Sequence, residues 1–283
     1  MTVGPIKFKR TNGGVGAFVR NVDLSQSLTQ EHVSAIKSAL GEHGVLFFRN
    51  QMISPEDHQA FAENLGSIDV NRFFKPVEGF PKIAEVRKEP EQRSAIGEDW
   101  HTDHSYDQIP ALGSILMARE LPRHGGDTLF SNMYAAYDAL SDGLKEVLQT
   151  LQAEHSSRHR FGRQSKANNS SDTGGRLGNP DLAVQDAVHP VVITHPISGK
   201  KALYVNRTFT LGFVGWSQAE SKALLDFLYD HASQPEFTYR FEWEEGSVAL
   251  WDNRATWHKA LNDYHGERRL MHRITLSGEA LSA

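Results

Sequence analysis

The chain contains no cysteine, which excludes a disulfide framework, a thiolate zinc site, an iron–sulfur cluster and a cysteine nucleophile. Any bound metal must be held by nitrogen and oxygen. An excess of positive charge is also lacking. The 30 Lys and Arg stand against 35 Asp and Glu, for a formal net charge of −5 and an isoelectric point near 6.3. That balance leaves no basic footprint for nucleic acid and no polybasic patch for an anionic membrane surface. Long apolar runs are missing too, since nowhere do the roughly eighteen consecutive apolar residues of a membrane span occur. The opening MTVGPIKFKR has no apolar stretch of the kind a secretory signal carries. These absences predict a cytoplasmic protein with neither nucleic acid nor membrane as partner.

What is present suits one globular domain over residues 1–283, with 39% hydrophobic and 23% charged residues. Val33, Ile36 and Leu40 recur at helical spacing ahead of Val45-Leu46-Phe47-Phe48, an apolar run bounded by Gly44 and Arg49 that reads as a strand. Ser54-Pro55 predicts a helix start with Phe61 and Leu65 as its buried stripe and Gly66 as its stop, and Ser217 with Glu220 forms a capping box before Leu224, Leu225 and Leu228. In the second half, Phe237, Tyr239, Phe241 and Trp243 alternate with more polar residues, and Ser247 to Trp251 follows a Gly246 turn. The pattern predicts a mixed α/β chain whose core is mainly β, a sandwich or jelly roll with peripheral helices. Residues 164–178, QSKANNSSDTGGRLG, are polar and aperiodic and read as a mobile loop that could close over a site.

The chemistry concentrates in three places. In Trp100-His101-Thr102-Asp103 an imidazole and a carboxylate stand two residues apart, so an extended segment would aim both to one side. The spacing alone is weak, since His265-Gly266-Glu267 has a similar look. Trp251-Asp252-Asn253-Arg254 reads as a strand end and turn that presents His258 among apolar residues as a third ligand. Two imidazoles and one carboxylate leave half an octahedron open, which suits ferrous iron in oxygenases, with a zinc hydrolase as the competing reading. Finally, residues 267–275 alternate as a strand with Arg269, Met271, Arg273 and Thr275 on one face and Leu270, His272 and Ile274 on the other. Two guanidinia roughly 13 Å apart on an inward face predict two anionic ligands or two internal carboxylates, while on an exposed edge they would be solvated ion pairs.

The ordered set Trp100-His101-Thr102-Asp103, Gly125-Gly126-Asp127-Thr128-Leu129, Trp251-Asp252-Asn253-Arg254, His258, Arg269 and Arg273 resembles the taurine dioxygenase and 2,4-dichlorophenoxyacetate dioxygenase family of iron(II)/2-oxoglutarate oxygenases. The likeness runs along almost the whole chain, including Glu120-Leu121-Pro122 and a helix-like stretch at residues 135–140. It implies a double-stranded β-helix with helices outside, and Fe(II), 2-oxoglutarate and O2 as cofactor and co-substrates. By this resemblance His101, Asp103 and His258 are the iron ligands, Thr128 and Arg269 hold the distal carboxylate of 2-oxoglutarate, and Arg273 holds the anionic group of a small organic substrate. It further implies a homo-oligomer, a dimer or tetramer.

Taurine enzymes carry His and Tyr where this chain has Asn71 and Phe74, and a family asparagine is missing from Ile96-Gly97-Glu98-Asp99. Asn71, Phe74, Tyr106, Phe161 and Phe209 are then candidate walls of a pocket for a larger alkyl or aryl anion: a sulfonate such as taurine, an alkyl sulfate, or an aryloxy or carboxylic acid. A non-catalytic jelly-roll anion binder stands as a further alternative.

Overall fold

The alternation in residues 269–276 sets the architecture, because a strand with apolar side chains on both faces must be covered twice. In the computed structural model, which describes residues 5–165 and 176–283, Arg269–Leu276 lies inside a nine-stranded sheet. The sheet order is Lys7–Arg10, Ala17–Arg20, Val45–Phe48, Val248–Asp252, Gly113–Glu120, Arg269–Leu276, Phe80–Lys88 and Pro76–Val77, with Ile68–Asp69 paired to the end of Arg269–Leu276.

The outer face of this sheet carries Leu46, Phe48, Ile115, Val248, Leu250 and Ile274 and is covered by two helices. Gln30–His43 starts where Thr29 Oγ1 accepts the His32 N–H, and it buries Val33, Ile36 and Leu40. Pro55–Leu65 starts at a capping box between Ser54 and Asp57 and buries Phe61 and Leu65. Each such side chain contributes about 1.5–3 kcal/mol on burial, so these two stripes dock the helices far more firmly than their caps do.

The inner face is covered by a second sheet of Thr238–Phe241, Thr128–Asn132 and Thr256–Ala260. Phe130 and Phe241 from that sheet interdigitate with Phe47, Leu116, Trp251 and Met271 from the large one, and Phe47 stacks on Phe241 at 4.2 Å between ring centroids. Two facing sheets, antiparallel except where Ala17–Arg20 runs parallel to Val45–Phe48, with helices outside are the jelly roll that the sequence implied. Two smaller sheets extend it, Gln152–Ser156 between Asp186–Pro190 and Thr210–Phe213, and Val192–Thr194 with Lys201–Leu203. Beside them Gln218–Ala232, opened by the Ser217–Glu220 capping box, buries Leu225 and Leu228, with Leu224 partly buried.

Some boundaries differ from the sequence reading. The helix expected at 135–140 is Met133–Asp138, because Asn132 Oδ1 accepts the N–H groups of both Tyr134 and Ala135 and so sets the start earlier. His258 is not delivered by a turn. It lies in the middle of Thr256–Ala260, after a turn that occupies residues 253–255. Of the loop expected at residues 164–178, residues 166–175 lie outside the described residues, and Leu177 bridges to Phe74.

The outer face also holds two histidines beside one arginine. His58 from the Pro55–Leu65 helix is buried near Arg119 and His272, and Arg119 Nε donates to His272 Nδ1 at 3.1 Å. Burial, aided by Arg119, pushes His58 down to about 3 and His272 to about 4, and burial does the same to His155, to about 3. An unfolded chain takes up these protons near pH 6.5 while the folded one does not. Stability is therefore expected to be full above that pH and to fall as pH drops from about 6.5 toward 4, each histidine adding a slope of about 1.4 kcal/mol per pH unit. Urea denaturation at pH 7, 6 and 5 checks this, and an unchanged free energy of unfolding across that range contradicts it.

Candidate active site

His101 and His258 meet because the backbone pairs them. The His101 N–H donates to the His258 carbonyl at 3.1 Å and the His258 N–H to the His101 carbonyl at 2.8 Å. Residues directly opposite in an antiparallel pair project to the same face, and the two rings lie 4.1 Å apart between centroids. The extended stretch is short, however. His101 is a single bridge residue, and the chain turns at once through Asp103 and His104, whose φ is +60°. Thr102 Oγ1 anchors the turn by donating to the Asn253 carbonyl at 2.5 Å. Asn253 in turn belongs to a buried knot in which Arg254 donates twice to Asp252, at 2.9 and 2.8 Å, and His195 Nε2 meets the same carboxylate at 2.9 Å. The Trp251-Asp252-Asn253-Arg254 run thus shapes the backbone rather than reaching the cavity through its charges.

Asp103 completes the cluster, with one oxygen 3.7 Å from His101 Nε2 and the other 3.8 Å from His258 Nε2. One ligand atom from each residue lies within 4.8 Å of the others, and all three side chains are buried. The Asp99 carbonyl is 2.7 Å from His101 Nδ1. A carbonyl only accepts, so the ring proton sits on Nδ1 and the Nε2 lone pair faces inward. The His258 ring is held by Trp251 at 4.6 Å. Burial, the largest influence, lowers both imidazoles and keeps them neutral. The Asp103 charge opposes that on both rings, while Arg160 and Arg273 reinforce it at His101. Burial alone would raise Asp103, yet the carboxyl is held below the ordinary range, the Arg273 guanidinium being the largest influence in that direction. Two neutral nitrogens and one carboxylate form a donor set fit for a divalent transition metal.

On the large sheet beside this cluster, Arg269 is 5% exposed, and among the described residues its Nε and Nη2 have no hydrogen-bond partner. Burial is the main force against its charge, with Tyr264 and Asp127 in partial support. A guanidinium in this state is costly unless an anion meets it. Thr128, on the facing sheet, lines the same cavity, and its Oγ1 accepts the Trp243 indole N–H at 3.0 Å. That leaves the Thr128 hydroxyl proton free to donate. Gly126, at φ +74°, lets Arg269 pass, since a Cβ there would stand 3.1 Å from the arginine Cδ.

The cavity holds about 360 Å³. The structure places every candidate wall residue on it, Asn71, Phe74, Tyr106, Phe161 and Phe209, together with both arginines and all three members of the cluster. Asn71 uses its Oδ1 to accept from the Phe73 and Phe74 N–H groups at 2.9 and 3.0 Å, which leaves only its amide NH2 for a ligand. Arg273 lies over Phe74 at 4.5 Å and contacts Asp103 through Nη1 at 3.3 Å.

The chain matches the model of the family described as taurine catabolism dioxygenase TauD, TfdA family, over residues 7–275. The chain belongs to the TauD/TfdA family. Among its relatives is an alkylsulfatase from Acinetobacter baylyi, 36% identical over 277 residues that cover 97% of this chain and 86% of that protein. Another is an alpha-ketoglutarate-dependent sulfate ester dioxygenase from Pseudomonas putida, 35% identical, covering 94% of this chain and 88% of its own. The crystal structure of a taurine dioxygenase from Burkholderia xenovorans superposes with a TM-score of 0.80 at 33% identity, over 98% of this chain and 93% of that one. As a TauD/TfdA dioxygenase the protein is a 2-oxoglutarate-dependent oxidoreductase acting on a small organic substrate. Family membership removes both alternatives, the zinc hydrolase, which gave the buried Arg269 no co-substrate to meet, and the passive anion binder. Among the described residues no helix is long and apolar enough to cross a membrane.

Three residues of the site had gone unnoticed in the sequence. Trp243 looked like an ordinary strand aromatic, although a buried indole N–H needs an acceptor, and that need was the available signal. Ser114, which donates to Asp103 at 3.2 Å, and Arg160, which lines the cavity, gave no signal at all.

Proposed function

We propose that the protein holds a ferrous ion through the Nε2 atoms of His101 and His258 and one oxygen of Asp103, and hydroxylates a small organic anion of the alkyl sulfate or sulfonate class. The observation that carries this reading is the converging nitrogen and oxygen donor set on a cavity that also contains an unpartnered buried guanidinium on one side and an aromatic wall on the other. When bound, the metal, 2-oxoglutarate and O2 would supply oxidative decarboxylation to succinate and carbon dioxide coupled to hydroxylation of a C–H bond, one oxygen atom going to succinate and the other to the hydroxyl. The chain's own residues bind, orient and exclude water. Arg269, with its fork of donors, and the Thr128 hydroxyl take the distal carboxylate of 2-oxoglutarate. Arg273 takes the anionic head of the substrate. Phe74, Tyr106, Phe161 and Phe209 hold its carbon chain against the metal side of the cavity and keep water out. The relatives named for sulfate esters support that class over taurine, and so do Asn71 and Phe74 in place of His and Tyr. Hydroxylation at the carbon that bears the ester oxygen gives an adduct that fragments to an aldehyde and inorganic sulfate.

Anaerobic addition of ferrous iron and 2-oxoglutarate is expected to give the visible charge-transfer band of a metal-chelated keto acid, and a linear alkyl sulfate is expected to stimulate succinate release in air. Absence of the band, with zinc supporting hydrolysis instead, overturns the reading.

Arg273→Ala is expected to raise the KM for the organic anion by about 10- to 100-fold, the equivalent of one charge-assisted hydrogen bond, while the KM for 2-oxoglutarate changes by less than about threefold. Because Nη1 also supports Asp103, kcat falls too. Equal rises in both KM values in steady-state assays contradict the assignment.

A further inference from the structure

The short helix Arg158–Phe161 puts a third guanidinium on the active-site cavity. Its neighbours in sequence are spoken for, since Arg158 pairs with Asp186 at 2.7 Å and Arg163 pairs with Asp181. Arg160 lines the cavity and has no ion pair or side-chain hydrogen bond among the described residues. It is half-buried, whereas Arg273 is 7% exposed. Arg273 lies over Phe74, and Arg160 adjoins Phe161, which stacks on Phe73 at 4.4 Å and faces Tyr106 at 6.0 Å. Two members of the aromatic wall thus each adjoin a cation on the cavity, Phe74 the buried Arg273 and Phe161 the half-buried Arg160.

Charge makes the second cation conspicuous. With a divalent metal, the Asp103 carboxylate, dianionic 2-oxoglutarate and the guanidinia of Arg269 and Arg273, a single negative charge on the substrate already brings the site to neutrality. Arg160 is one cation more at Phe161. Two further acidic residues line the cavity and bring two negative charges of their own, but neither forms an ion pair with Arg160 among the described residues. Glu98 accepts from the Ala95 N–H and from Asn262 Nδ2 at 3.0 Å, and Asp99 is exposed to solvent.

We propose that Arg160 is a specificity-determining residue that holds a second anionic group of the substrate, so that the preferred substrate is a dianion whose two charged ends are spaced across the aromatic wall. The proposal rests on the reading that Arg273 takes the first anionic head. The chemistry it points to is a sulfate or sulfonate at one end of a carbon chain and a carboxylate at the other.

The test compares a series of linear alkyl sulfates with the same chains ended in a carboxylate, by substrate-dependent succinate release from the iron-loaded enzyme and from Arg160→Gln and Arg160→Lys. At the matching chain length the wild type is expected to favour the dianion about tenfold or more in kcat/KM, the low end for one charge-assisted hydrogen bond. Arg160→Gln is expected to erase the preference, lowering kcat/KM about tenfold more for the dianion than for the monoanion, and Arg160→Lys to keep part of it. No preference in the wild type at any length, or an equal loss for both substrates in Arg160→Gln, overturns the proposal, the latter meaning that Arg160 shares the head group with Arg273 or only supports the fold. If neither series is turned over, it is the sulfate-ester reading that fails. Calorimetric titration of both ligands into the anaerobic iron and 2-oxoglutarate complex then still decides Arg160, with tighter dianion binding lost in Arg160→Gln in favour and equal binding against.

Discussion

His258→Ala is expected to abolish succinate release altogether. Loss of a group that merely orients a metal ligand typically costs 10- to 100-fold, so loss of a ligand should exceed about a thousandfold. The expectation follows from geometry. His258 reaches the cluster because its backbone is paired with His101, and it supplies one of the two imidazole nitrogens there. The same substitution opens a hole against Trp251 and Phe130, which makes a folding control necessary. Far-UV circular dichroism and melting of the variant separate the two effects. His258→Gln, closer in volume and with a weaker donor, is expected to melt near the wild type and still bind metal poorly in an anaerobic titration. A His258→Ala enzyme that keeps a tenth of wild-type activity, or binds ferrous iron as tightly, would remove His258 from the metal site.

Arg269→Ala carries the next largest effect, an expected rise of about a hundredfold or more in the KM for 2-oxoglutarate. Nε and Nη2 of this guanidinium are buried without hydrogen-bond partners among the described residues. A carboxylate that pairs with them makes at least one, and with a fork geometry two, charge-assisted hydrogen bonds of about 1.5–3 kcal/mol each. Truncation leaves the Thr128 hydroxyl, which accepts from Trp243, as the remaining donor to that carboxylate. At saturating 2-oxoglutarate kcat is expected to recover most of its value, because the ligand cluster is untouched. Arg269→Lys restores charge without the fork, so its KM should fall between the two. Titrating the charge-transfer band with 2-oxoglutarate reads the affinity directly. An Arg269→Ala band that saturates at the wild-type concentration contradicts the assignment.

Much of this was legible in one dimension. Strand alternation put Arg269, Met271, Arg273 and Thr275 on one face, and Met271 does pack inward while Ile274 packs outward. The helix starts at Ser54 and Ser217 were legible because a cap involves residues only three apart. The cluster residues were legible as a set because their types and order carry chemistry that few other sequences combine.

The absence of cysteine, the strand period and the local caps follow from composition and from interactions within a few residues, and the residue types of the His/Asp/His set could be read there as candidates. The fold decided everything that depends on residues far apart in the chain. It showed that His101 is a lone bridge and not part of a strand, and that Arg273 braces Asp103 as well as facing the cavity. It also showed that Trp243 serves Thr128, and that Arg160 joins a wall built from four separate segments. Such contacts are fixed by packing across two sheets, where a side chain's partners follow from burial and register, and neither is written in the spacing of neighbouring residues.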